Sequence, residues 1–73
     1  MWADIYTAAN KRVIGTVQLP DDIEALERLM GEGFMAEAAG ENVLCTITEM
    51  QMLSGRVEDM HVVVTTDAFD PPS

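Results

Sequence analysis

Basic residues are scarce. The 73-residue chain holds four Lys and Arg against thirteen Asp and Glu, a formal charge of −9 with its single histidine neutral. Such a chain repels phosphate-bearing surfaces, so neither nucleic acid nor an anionic membrane is a natural direct ligand. Cysteine is nearly absent as well, and Cys45 alone excludes an intramolecular disulfide. One His and one Cys do not make a zinc site from nitrogen and sulfur ligands. They also leave a single way to build a nucleophile–base pair from these types, Cys45 with His61. No apolar run approaches the ~20 residues needed to span a bilayer. The segment Met1–Tyr6 shows neither a basic n-region nor an apolar h-region, so the expected location is the cytoplasm. Walker-type and GxGxxG loops are missing. Asp67-Ala68-Phe69-Asp70 offers two carboxylates but lacks the acidic alternation, turn glycine and terminal Glu of a calcium loop. No cofactor, metal or catalytic residue is assigned, and the chain is read as non-enzymatic.

What is present is enough apolar material for one core. The hydrophobic fraction is 48%, ordinary for a globular protein. A domain this small buries only about 60–65% of its unfolded surface, so a deep cleft would compete with the core for side chains. That favours action through the surface. One domain is expected over residues 1–69, followed by a mobile, extended tail Asp70-Pro71-Pro72-Ser73.

Strand formers fill residues 2–8 and 13–19, separated by the polar Ala9-Asn10-Lys11-Arg12, which reads as a β-hairpin. In the second strand Val13, Gly15, Val17 and Leu19 share the expected core face. Pro20 ends it. Asp21 as N-cap, with Glu24 three residues on, opens a helix over 21–31. Ile23, Leu26, Met30 and Phe34 recur at helical spacing and form its buried stripe. Ala, Glu and Met enrichment extends the helical expectation to a second turn or short helix over 34–39. Further on, a two-residue turn at Ser54-Gly55 pairs Ile47 with Val62 and Cys45 with Val64 on an apolar face, together with Glu49 opposite Met60. The other face then holds Thr46, Thr48, Met50, Asp59, His61 and Val63, with Met52 outward as well. The expected fold is α+β, ββαββ: a four-stranded antiparallel sheet with one helix, and the short second one, packed on one face.

Two features point to partner binding. Asp21, Asp22, Glu24, Glu27, Glu32, Glu37 and Glu41 fall in one stretch offset only by Arg28. Packed as one layer, they present a negative surface complementary to a basic protein. The first six are the candidate electrostatic residues. Met50, Met52 and Trp2, apolar residues left outside the expected core, are the candidate anchors, because adaptable and aromatic side chains suit interfaces. In size and charge the chain is similar to the small acidic proteins that phages encode against host defence nucleases, the anti-CRISPR type, a likeness of composition alone. It implies an inhibitor that imitates phosphates on the basic, nucleic-acid-binding surface of a larger protein. The alternative expectation is a self-associating structural subunit, a homodimer built on the outer sheet face.

Overall fold

The computed structural model describes residues 1–69, with Glu58 described by its backbone. The expected tail, 70–73, lies outside the described residues. Among the described residues the chain is α+β, as the sequence indicates, with one helix and a mixed sheet of five strands rather than four antiparallel ones. The strands are β1 (Trp2–Thr7), β2 (Val13–Gln18), β3 (Phe34–Ala38), β4 (Glu41–Met52) and β5 (Met60–Thr66). The helix α1 spans Ile23–Glu32, and a 3-10 turn spans Val57–Asp59. The spatial order is β2-β1-β5-β4-β3. Every pair is antiparallel except β1 with β5, where Ile5, Tyr6 and Thr7 run alongside Val64, Thr65 and Thr66.

The fifth strand is the segment expected to be a short helix. Its Ala, Glu and Met favour helix locally, but tertiary pairing overrides that preference. Gly33 ends α1 with φ 76°, its N–H donating to the Leu29 carbonyl at 2.8 Å. A Cβ at Gly33 would stand 3.1 Å from the Cys45 carbonyl oxygen, so only glycine lets β3 begin this close to β4. Phe34 through Ala38 then pair with Cys45 through Glu41. Ala39 and Gly40, with φ of 52° and 80°, close this hairpin in the manner of a type I′ turn.

The N-cap of α1 lies one residue later than expected. Asp22, not Asp21, is the N-cap, and its carboxylate accepts from the Glu24 N–H at 3.1 Å. Asp21 instead accepts from the Met1 nitrogen at 2.8 Å. That nitrogen also donates to the Leu19 carbonyl. Leu26 is the fully buried residue of α1, flanked by half-buried Ile23, Leu29 and Met30. The helix packs chiefly on β4.

The β4–β5 hairpin differs in its loop and in one bulge. Residues 53–59 form a seven-residue connection instead of a two-residue turn, with Met52 opposite Met60 as the last pair. The Ser54 hydroxyl donates to Asp59 at 2.6 Å across it. The longer loop and a one-residue slip in β4 together move the register by two at the far end, so Ile47 faces Val64 and Cys45 faces Thr66. Two is the side-chain period of a strand, so Cys45, Ile47, Val62 and Val64 all still point inward, and all are buried. Between Ile47 and Glu49 the ladder slips by one, leaving Thr48 as the extra residue. The slip turns Glu49 outward, where regular alternation would have buried it, and turns Met50 inward opposite Val62. A second bulge, between Ile5 and Tyr6 of β1 and their β2 partners, does the same to β2. Gly15 and Val17 face inward as expected, whereas Val13 is exposed and Ile14 packs on the core, contrary to the expected alternation.

The core is centred on Ile5, Leu26, Cys45, Ile47 and Val64. Around it the sheet curls until its edge strands, β2 and β3, pack against each other into a nearly closed barrel. A Cβ at Gly15 would lie 3.4 Å from Cα and Cβ of Ala38, so the missing side chain allows this approach. The curl covers both edges that would otherwise present open ladders.

Candidate functional site

Two surfaces carry the sequence-predicted residues, and the structure separates them. The first is the outward side of α1. Glu24, Glu27 and Glu32 are exposed there, with Asp21 and Asp22 at the helix start. At 100° per residue, Glu24, Glu27 and Glu32 fall within one face, opposite Leu26. Arg28 lies in the middle of that face, four residues from both Glu24 and Glu32, so the negative surface has a cation within it. Glu37 does not belong to this layer. As part of β3 it pairs with Asn42 on the outward side of the sheet, and Glu41 follows at the start of β4. The acidic stretch of the sequence is thus divided between helix and sheet because 34–38 is a strand.

The second surface is the outward side of the sheet. Trp2 and Tyr6 both face outward from β1, Trp2 at 70% exposure and Tyr6 half-buried. Met50 is absent from this face, since the bulge at Thr48 sends it to the core. Met52 shares the inward parity of Met50 but lies near the hairpin end, where it is exposed. The structure therefore does not bring Trp2, Met50 and Met52 together as one outward anchor set. Besides Trp2 and Val13, Met35 and Leu44 stand outward, a cross-strand pair at 62% and 61% exposure. The local helical preference of 34–39 hides this pair, which forms only when Met35 lies on a strand opposite Leu44.

Across β1, β5 and β4 the outward side is hollowed. A trough of about 570 Å³ is lined by Tyr6, Ala8, Lys11, Thr48, Glu49, Val63 and Thr65. A smaller depression of about 290 Å³ shares Thr65 with it and is also lined by Leu44, Thr46 and Asp67. The bulge at Thr48 makes one wall, its hydroxyl donating to the Val63 carbonyl at 3.4 Å. The β1–β2 turn makes another. There Lys11 adopts φ 54°, its N–H donating to the Thr7 carbonyl at 2.8 Å. Thr66, in the lining of the smaller depression, is buried and donates to the Leu44 carbonyl at 2.8 Å.

Cys45 points into the core and is fully buried, whereas His61 is exposed and pairs with Gln51. Burial pushes the Cys45 thiol up from its ordinary pKa. The two groups lie on opposite sides of the sheet. Among the described residues no group of three or more His, Cys, Asp or Glu side chains is placed to hold a metal ion. No helix among them is long and apolar enough to cross a membrane. No family model, characterised protein or solved structure matches the chain.

Proposed function

We propose that the chain is a non-enzymatic binding module that docks its acidic surface on a basic surface of a larger protein. The observation that carries this reading is the placement of the carboxylates. Every Asp and Glu whose side chain is described is exposed, from Asp4 on β1 to Asp67 after β5, with five on or beside α1. A surface of one sign accelerates encounter with the opposite sign and rejects its own. A basic nucleic-acid-binding channel is the most concrete target, and a carboxylate array occupying it acts as an inhibitor, in the way of the anti-CRISPR-type proteins that the chain is similar to in composition. Asp21, Asp22, Glu24, Glu27 and Glu32 supply the electrostatics from the helix side, and Glu37 from the sheet side.

The test is capture from native extract at low salt with the intact chain as bait. A second bait carries Glu24→Lys, Glu27→Lys and Glu32→Lys. The reading expects one or a few basic proteins, eluted by salt and lost with the charge-reversed bait. Equal capture by both baits, or capture of acidic proteins alone, overturns it. A self-associating subunit is the second reading, favoured by the exposed Met35–Leu44 pair. A dimer whose population is independent of concentration in sedimentation supports that reading instead.

A further inference from the structure

We infer that the outward trough over Thr65 is the seat for a Lys- or Arg-bearing segment of the partner that inserts an apolar side chain; this rests on the basic-partner reading above. Three observations converge on it. The trough and its neighbouring depression share Thr65 in their linings, with Tyr6 and Val63 in the first and Leu44 in the second. Leu44 pairs with Met35, so the depression runs out onto two large apolar side chains held in water. An apolar centre with a charged rim is the usual anatomy of a protein interface. The charged groups lining the two hollows are Glu49 on the bulge and Asp67 after β5, against Lys11, and Glu37 stands outside them, two residues along β3 from Met35.

The bulge at Thr48 has a function in this account. Regular pairing would point Glu49 to the core and Met50 outward, whereas the extra residue places a carboxylate on the trough wall. The charge also selects the occupant. A second copy would bring another −9 against this rim, and nucleic acid would bring phosphates. A basic segment neutralises Glu49, Asp67 and Glu37 while its apolar side chain covers Leu44, Val63 and Tyr6. Threonine hydroxyls along the floor give that segment adaptable hydrogen-bond partners.

The experiment is an amide-shift titration of the intact chain with a synthetic peptide alternating lysine and leucine, and with its glutamate–leucine counterpart. The inference expects shifts at Thr46, Thr48, Val63 and Thr65 with the lysine peptide and none with the glutamate one. Met35→Ser with Leu44→Ser, both exposed and so tolerated by the fold, should weaken the lysine peptide about tenfold, the equivalent of ~1.4 kcal/mol. Shifts confined to Glu24–Glu32 would overturn the seat and leave the basic-partner reading standing. Outward-face shifts on concentrating the chain alone would overturn it in favour of a second copy. Equal response to both peptides, or full affinity in the double variant, would also overturn it.

Discussion

Replacing Ala39 with asparagine should stabilise the protein, and the sign of the change distinguishes two structures for residues 34–39. In the β3–β4 hairpin Ala39 sits at φ 52°, followed by Gly40 at φ 80°. A type I′ turn needs positive φ at both central residues and prefers Asn-Gly. A side chain such as alanine in the left-handed region costs roughly 1–2 kcal/mol. Asparagine lowers that cost without the unfolded-state entropy of glycine. Ala39 and Gly40 are exposed, and a Cβ at Gly40 would meet nothing within 4 Å, so packing adds little to the balance. The expected gain is about 0.5–1 kcal/mol, which raises Tm by roughly 2–8 °C in a domain of this size. If 34–39 were helical, the same change would exchange the best helix former for a poorer one and destabilise by a few tenths of a kcal/mol or more. The assay is thermal unfolding by circular dichroism together with urea denaturation. A higher midpoint with unchanged m supports the turn. A lower midpoint in both would refute the hairpin and the five-stranded sheet that depends on it.

Other perturbations follow from the same structure. Leu26→Ala removes the fully buried anchor of α1 and should cost about 2–5 kcal/mol, enough to unfold much of the population at 37 °C in urea-free buffer. Asp22→Ala deletes the cap on Glu24 and should cost about 1 kcal/mol by the urea midpoint, whereas Asp22→Ser should retain most of that stability. Cys45 should resist a thiol reagent at neutral pH until the chain is unfolded, because the thiol is enclosed and its ionised form is disfavoured. Since its folded pKa is raised, the unfolded thiol ionises first. Stability from this group is intact at neutral pH and falls as pH rises past the ordinary thiol pKa of about 8.5, which urea midpoints at pH 7 and 9.5 for the protein and for Cys45→Ala will read.

Much of the architecture was legible in local pattern. The period-2 alternation of Cys45, Ile47, Val62 and Val64 identified the inward face of the long hairpin, and it survived a register error of two because the error preserved parity. The stripe of Ile23, Leu26 and Met30 located α1 to within two residues. Three features had no local signature. Pairing with β4 made 34–38 a strand against its own helical preference. The parallel contact of β1 with β5 joins opposite ends of the chain. The bulges at Ile14 and Thr48 reverse the phase of everything beyond them, which is why Val13, Glu49 and Met50 occupy sides opposite to those expected. The candidate surface shared that fate. The helix carboxylates were readable as a face, but Glu37 moved to the sheet with β3. The outward Met35–Leu44 pair became visible only once that strand was in place.

The most direct test of the acidic-surface account is the association rate of the chain with its captured partner, followed by stopped-flow Trp2 fluorescence from 50 to 500 mM salt. Electrostatic steering predicts a steep fall in rate across that range, with the charge-reversed Glu24, Glu27 and Glu32 variant slow throughout. A rate indifferent to salt, and equal in the two proteins, would contradict it.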